Sequence, residues 1–192
     1  MKNRPRLRAV LTFLAQIIIY LVVSIPFKVM EVIPGFTDIR PVSLLGPVYG
    51  IFCGPQGAFA FAVGNLITDI ISDSLRWSCI AGFIANFAGP FLMYLYWCRI
   101  SKDSFSLRSG RNILKHITLI TAVAAIETII ITPAVAVFYP DVNYLLFAAS
   151  VMLNTSVFPI LLGIPLIFLI QEELGFKPAS SPDPKKNKAP MQ

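Results

Sequence analysis

Long apolar segments separated by short polar connections constrain this chain most. In the first, from Leu7 to Pro26, Thr12 and Gln16 are the only polar residues between Ala9 and Tyr20. Further apolar segments cover residues 41–52, 57–71, 78–98, 117–138 and 145–170. A helix needs about 20 apolar residues to cross a bilayer, and 56% of the 192 residues are hydrophobic, more than one soluble core accommodates. The sequence therefore predicts an all-α membrane protein, a bundle of six transmembrane helices.

The second segment, residues 41–52, is short for a transmembrane helix and contains Pro47 and Gly50. The basic residues decide whether it crosses, because Lys and Arg accumulate in cytoplasmic loops. With six spans and a cytoplasmic N-terminus, 13 of the 16 Lys and Arg residues face the cytoplasm, whereas only 5 do so if this segment does not cross. We therefore expect a short second helix that does cross, and both termini in the cytoplasm.

One membrane domain is predicted over residues 1–176. Residues 177–192 are rich in Pro, Ser and Lys without hydrophobic periodicity, which is typical of a disordered tail, here cytoplasmic. The net charge of +6 fits attraction to anionic lipid at the inner face of the plasma membrane. No aromatic residues alternate with the basic ones, as they would in a protein that binds single strands. We expect the lipid bilayer as a partner and no nucleic acid.

Motifs of common enzymes are absent from the sequence. It has no GxxxxGK[ST] phosphate loop, no HExxH and no GxSxG. The three cysteines form no CxxC pair, and the single histidine, His116, falls at the edge of a basic segment, residues 99–115, that is predicted to be a solvated loop. No Ser or Cys then has a histidine base beside it. We expect no enzyme activity, no metal site, no disulfide framework and no cofactor.

Few polar side chains fall within the predicted spans. An ionisable group in hydrocarbon costs about 2.5 to 3.5 kcal/mol, so those that are kept there usually pair, line a cavity or act chemically. Asn65 and Asp69 are four residues apart in the third helix and share a face. Asn86, Glu127 and Asn154 follow in the next three helices, all between the midplane and the outer mouth. This asymmetry predicts a cavity that opens outward.

Two structural alternatives stand beside that interpretation. Each Asn could simply hydrogen-bond one helix to another, and the two acids could form internal ion pairs with Arg40 or Arg76 from the outer loops. As a ligand site, the acids would suit a cationic or amine-bearing molecule, although Arg40 could neutralise one of them, and aromatic residues such as Trp77 could stack on a flat ring. The predicted substrate-binding residues are Arg40, Asn65, Asp69, Trp77, Asn86, Glu127 and Asn154.

A family resemblance covers residues 33–73, IPGFTDIRPVSLLGPVYGIFCGPQGAFAFAVGNLITDIISD. Its features are a proline-glycine loop, Ile39-Arg40-Pro41 at the start of the short second helix, Gly54-Pro55 after it, and Gly64-Asn65 with Asp69 in the third. In this string the chain resembles the substrate-binding S component of energy-coupling-factor (ECF) vitamin transporters. The chain length, the six spans and the cytoplasmic termini agree with that family.

The resemblance implies that the bundle captures a vitamin or related micronutrient from outside, in a pocket under extracellular loops. A transmembrane coupling subunit and two ATPase subunits would supply the energy, while the S component tips over in the membrane to release its cargo. One feature departs from the family, whose first helix carries an AxxxA-like motif that meets the coupling subunit. Here Ala9 and Ala15 are six apart, with Phe13 and Leu14 between them. A stand-alone permease or channel, or a non-transporting membrane scaffold, therefore remain alternatives.

Overall fold

A computed structural model describes residues 4–34, 36–101 and 105–179, with side chains from residue 6 onward, and they are mostly helical. The α-helices are α1 (Arg4–Ser24), α2 (Leu45–Val48), α3 (Gly54–Ile71), α4 (Ser78–Leu95), α5 (Gly110–Phe138), α6 (Tyr144–Phe158) and α7 (Ile164–Glu172). Short 3₁₀ segments lie at Ile25–Phe27 and Pro41–Leu44, and π-helical turns at Tyr49–Cys53, Tyr96–Ile100 and Pro159–Gly163. Strands β1 (Glu31–Ile33) and β2 (Thr37–Asp38) pair antiparallel between α1 and the second helical segment.

Within the described residues, five continuous helical segments are long and apolar enough to cross a membrane. They are Arg6–Phe27, Pro41–Ile71, Ser78–Ile100, Gly110–Phe138 and Tyr144–Glu172. The prediction of a helical membrane protein is confirmed at this level, with the small β-hairpin as an addition to it. The expected second and third helices both fall within one segment, Pro41–Ile71, so the count is five.

Residues 41–71 nevertheless do not form a straight helix. Gly54 has φ +64°, in a region that L side chains rarely adopt. The ring centroids of Tyr49 and Phe61 lie 6.2 Å apart, whereas twelve residues of straight helix would separate them by about 18 Å. A Cβ atom added at Gly57 would collide with the backbone carbonyl of Tyr49. The segment is therefore a helical hairpin that reverses at Gly54.

The helices run alternately up and down, so that the start of one lies beside the end of the next. α3 packs against both α1 and α4, and α5 packs between α4 and α6. The largest apolar core lies near the reversal at Gly54, where Trp97 and Phe105 join Ile51 in one buried cluster. The opposite end of the bundle, where α3 ends and α4 begins, carries the β-hairpin and most of the buried charge.

Two expectations about the basic segment 99–115 are wrong. α5 already begins at Gly110, so the connection is shorter than predicted. His116 is fully buried rather than solvated, and its Nδ1 accepts a hydrogen bond of 3.0 Å from the Trp97 indole N–H. Most of the predicted disordered tail, residues 180–192, lies outside the described residues. Just before it, the backbone N–H of Ala179 donates to the carbonyl of Ile51 at 2.9 Å.

Candidate functional site

A cavity of about 130 Å³ opens at the end of the bundle that carries the β-hairpin. The ends of α3 and α5 and the beginnings of α4 and α6 surround it, because neighbouring helices alternate in direction. Its polar and charged lining residues are Lys28, Glu31, Thr37, Asp38, Arg40, Asn65, Asp69, Ser72, Ser74, Arg76, Ser78, Asn86, Asn154 and Thr155. Apolar contacts come from residues such as Phe36, Ile131 and Phe147.

Four charged side chains form a connected network on one wall of this cavity. Lys28 Nζ lies 3.0 Å from Asp69 Oδ1 and 3.4 Å from Asp38 Oδ2. Asp38 Oδ1 lies in turn 3.4 Å from Arg40 Nε. Lys28 and Arg40 therefore alternate with the two acids, and each charge has an opposite charge beside it. Asp69 therefore forms an ion pair, as the structural alternative expected, with Lys28 as the partner.

Asn65 joins this network to the helix interior. Its Oδ1 accepts hydrogen bonds from the Tyr20 hydroxyl, at 3.1 Å, and from the Arg40 guanidinium. Its Nδ2 donates to Asp69 Oδ2 at 3.0 Å, which confirms that the two residues share a helical face. Burial acts to lower the pKa of Arg40, but Tyr20, Asp38 and Asp69 outweigh burial, so the net shift of that pKa is upward. The Arg40 side chain therefore stays charged.

Asn154 fixes the β-hairpin region to α6. Its Nδ2 donates to the backbone carbonyl of Asp38 at 2.8 Å, and its Oδ1 accepts from the backbone N–H of Arg40 at 2.9 Å. Nearby, the hydroxyls of Thr37 and Ser150 lie 3.1 Å apart. An amide that satisfies one donor and one acceptor of an extended backbone segment holds that segment in register. Asn154 thereby sets the position of both Asp38 and Arg40.

The mouth of the cavity is partly covered by stacked side chains. The Arg76 guanidinium carbon lies 4.5 Å from the centre of the Phe36 ring and 5.8 Å from that of Tyr139. Trp77 is 70% exposed and does not line the cavity, although its backbone N–H donates to the Tyr139 hydroxyl at 3.2 Å. Trp77 thus lies at the rim, with its indole available to lipid headgroups or to solvent.

Glu127 lies apart from the cavity, in a smaller pocket of about 30 Å³. Its side chain is buried and rests against α4 at Gly89, where an added Cβ atom would collide with Glu127 Oε1. Thr155 lines both the cavity and the pocket. The Glu127 carboxyl is therefore a neighbour of the cavity rather than part of its wall.

Five of the seven residues predicted to bind substrate line one cavity, which are Arg40, Asn65, Asp69, Asn86 and Asn154. Trp77 and Glu127 are not among them. Sequence reasoning missed Lys28 and Asp38, the two residues that complete the charged network. The sequence offered one indication of them, since both lie in the charged segment between the first two apolar segments. Only the fold of the β-hairpin, however, brings them close to Asp69.

The charged side chains that line the cavity are balanced in sign. The described residues contain no cluster of three or more His, Cys, Asp or Glu side chains that could hold a metal ion. The lining acids, Glu31, Asp38 and Asp69, match the lining bases, Lys28, Arg40 and Arg76, in number, so their formal charges cancel. No family model, curated protein or solved structure matches the chain.

Proposed function

We propose that the chain is a substrate-binding membrane subunit of the ECF type, which captures a vitamin or related micronutrient from outside the cell. The observation that carries the proposal is the cavity at the β-hairpin end, a concave polar site enclosed by apolar helices. Sites for small molecules are usually concave, with a few convergent polar groups that fix orientation. The resemblance over residues 33–73 supports the same function, since that segment supplies seven of the cavity-lining residues, among them Asp38, Arg40, Asn65 and Asp69.

Six spans with both termini in the cytoplasm form part of the proposal. The helical hairpin at Gly54 supports two crossings within residues 41–71, and the distribution of Lys and Arg supports the orientation. In a cysteine-free background, Leu75→Cys should react with a membrane-impermeant thiol reagent in intact cells, and Ser109→Cys should not. Both positions are exposed in the fold, so accessibility within the protein is matched. Labelling in the reverse sense would contradict the outward orientation of the cavity.

The charges of the cavity favour a net-neutral or zwitterionic cargo. A ligand with one unbalanced charge would leave one protein charge unpaired when it enters the Lys28–Asp69 network, and an unpaired charge in a site shielded from water is unfavourable. The cavity of about 130 Å³ is also smaller than the roughly 300 to 1,000 Å³ that is usual for ligand pockets. A vitamin-sized cargo therefore requires the β-hairpin or the Arg76 side chain to move outward.

Cargo carried through purification provides the direct test. Mass spectrometry of the protein in a gentle detergent should find one small polar molecule bound per chain, and Asp69→Asn should reduce its occupancy. Asp141→Asn, a change at an exposed acid outside the cavity, should not. Co-purification of a coupling subunit and two ATPases would support the ECF assignment. A ligand-free protein in both the parent and the Asp69 variant would contradict the binding function.

A stand-alone permease or channel is the second candidate, and the surface of α1 favours it. Phe13 stacks on Phe59 of α3, with ring centroids 5.8 Å apart, and Leu14 is 48% exposed. α1 therefore presents bulky side chains where the family has small ones. Uptake into liposomes that contain only this chain, driven by an ion gradient, would establish the permease, whereas uptake that requires ATPases would exclude it.

A further inference from the structure

A second, smaller pocket lies at Glu127 and shares Thr155 with the cavity. Its pocket is lined by Ser43, Gly46, Pro47, Gly89, Pro90, Met93, Ile120, Val123, Glu127, Thr155 and Pro159. Glu127 is the only one of these residues with an ionisable side chain. The volume of about 30 Å³ exceeds the roughly 10 to 15 Å³ that one water molecule requires by this measure. The pocket therefore accepts a particle the size of an ion or a water molecule, and nothing as large as a vitamin.

Glu127 makes no ion pair among the described residues, unlike the cavity acids Asp38 and Asp69. Arg40, the residue before the second helical segment, acts on it electrostatically, but that guanidinium is already engaged by Asp38 and Asn65. The side chain of Glu127 is only 8% exposed, in the eighteenth position of a 29-residue apolar helix. A carboxylate in such surroundings requires a cation beside it, or a proton on it.

The two hydroxyl groups of the pocket lie against backbone carbonyls, and that of Thr155 is also within hydrogen-bonding reach of the Glu127 carboxyl. The Thr155 hydroxyl donates to the carbonyl of Val151 at 2.8 Å. The Ser43 hydroxyl lies 2.5 Å from the carbonyl oxygen of Asn154, to which it donates. Because each hydroxyl has a single hydrogen, its oxygen lone pairs remain for another partner. Oxygen lone pairs beside one carboxylate form a donor set for a hard cation.

One proline adds to this donor set. A proline inside a helix removes the N–H that would otherwise bond the carbonyl four residues earlier. Pro159 does so for the carbonyl of Thr155, a residue that lines the pocket. In membrane proteins, carbonyls released in this way at broken helices coordinate sodium ions or protons. Pro159 also begins a π-helical turn, which further interrupts the regular bonding.

We propose that this pocket binds one small monovalent cation at Glu127, either a sodium ion or a proton. One positive charge balances the one carboxylate, whereas a divalent ion would leave a net charge within the membrane. Gly89 is required because its missing side chain gives the carboxyl its place against α4. Thr155 forms part of the wall of both sites, so cation binding acts directly on one wall of the substrate cavity.

The test uses the full chain in detergent without any substrate, so that its outcome is independent of the proposed cargo. Thermal unfolding is measured in sodium chloride and in choline chloride at equal ionic strength, from pH 5.5 to 8.5. The variants are Glu127→Gln and Thr155→Val. The matched control is Glu173→Gln, at an exposed glutamate outside the pocket.

If sodium is the cation, saturating sodium should raise the melting temperature of the parent and of the Glu173 control by about 3 °C relative to choline. Glu127→Gln should remove this response, and Thr155→Val should raise the half-saturating sodium concentration about tenfold. If the cation is a proton, sodium should have no effect, and the melting temperature in choline should fall as pH rises, because the folded state binds that proton more tightly. Glu127→Gln should then abolish this pH dependence relative to the Glu173 control.

The proposal is overturned if the parent responds to neither sodium nor pH in a way that Glu127→Gln removes. A sodium response that survives in both variants would overturn it as well, since it would belong to another site. Should Glu127→Gln fail to fold, Thr155→Val still decides the sodium form. Its carboxylate is intact, so an unchanged half-saturating concentration excludes cation coordination in this pocket.

Discussion

The two ends of the helix bundle differ in their interiors, since one contains a charged cavity and the other contains packed aromatic rings. Along α4 and the turn that follows it, Cys79 and Trp97 are eighteen residues apart, about 27 Å, which is close to the thickness of a bilayer core. The end around Cys79, the cavity end, contains the cavity, the paired charges and the β-hairpin. Around Trp97 lies the closed end, where aromatic rings fill the interior.

The closed end is held by ring packing. Trp97 and Phe105 meet edge to face with their centroids 5.0 Å apart, and Phe105 lies 5.9 Å from the His116 ring. An ion pair between Arg108 and Glu172 lies outside this cluster, with 72% of the Arg108 side chain exposed. Polar groups are few in this interior, and the fully buried His116 is the principal one.

Under the proposed function, this difference would allow the chain to bind a ligand without leaking. Charged groups that pair with one another at the cavity end can exchange those partners for a ligand, because their hydrogen bonds are polar and adaptable. Close-packed rings at the closed end offer no such exchange, since interiors packed like organic crystals leave no room for passage. The proposed function thus assigns selectivity to the cavity end and the barrier to the closed end. Each of the variants below disturbs one end and spares its counterpart.

Asp38→Ala should have the largest effect, at the cavity end. It removes the acid that Lys28 and Arg40 share. Removing one partner of a buried charge pair costs about 3 to 5 kcal/mol, because the remaining charge is left uncompensated. We expect a fall in thermal stability of several degrees, together with loss of cargo. Unfolding of the purified variant, followed by calorimetry, measures this.

Asp141→Ala serves as the control for that measurement, since Asp141 is an exposed acid in the short connection between α5 and α6. It should leave the melting temperature within a degree of the parent. Equal destabilisation by both changes would show that the charged network at the cavity end does not differ from surface charge.

Asp69→Ala should weaken cargo binding while the fold survives. The carboxylate accepts from Lys28 and from Asn65, and losing a hydrogen bond to a charged group costs about 1.5 to 3 kcal/mol, or roughly 10- to 100-fold in affinity. Isothermal titration with the cargo identified by mass spectrometry would measure it. Parent-like affinity in the Asp69 variant would mean that this residue only packs helices together.

Glu127→Ala is expected to weaken cargo binding by the same factor, roughly 10- to 100-fold, if its pocket and the cavity act as one site.

The sequence predicted one part of the cavity well, the part that a single helix determines. Asn65 and Asp69 share a face because the helical repeat brings residues four apart together, and the structure shows the hydrogen bond between them. Lys28 and Asp38 could not be found in this way. They reach Asp69 through the β-hairpin, and no helical periodicity extends across the turn that forms it.

His116 shows the same limit at the closed end. Its position beside Lys115, in a basic segment, predicted a solvated residue, because local composition is usually a good guide to exposure. α5 begins six residues earlier, at Gly110, and turns the imidazole toward Trp97. Its burial depends on Trp97, which lies nineteen residues away in the sequence. Local composition cannot predict such a tertiary contact.

Trp97→Phe should have a moderate effect, confined to the closed end. The ring packing against Phe105 is largely kept, but His116 Nδ1 loses its donor, and a buried group left without its hydrogen bond costs about 1 to 3 kcal/mol. Stability should fall by that amount without a change in cargo affinity. Trp77→Phe is the matched control, since Trp77 is exposed at the rim of the other end.

Arg108→Ala should have the smallest effect. The ion pair with Glu172 lies at the surface of the closed end, but Arg108 is largely exposed, and exposed pairs contribute little because water and salt screen them. We expect a small loss of stability that disappears at high salt, when thermal unfolding of parent and variant is compared in about 20 mM and 1 M potassium chloride. The aromatic packing of Trp97, Phe105 and His116 should then account for the strength of this end. A loss as large as that of Asp38→Ala, and insensitive to salt, would instead show that both ends depend on charge and would remove the contrast between them.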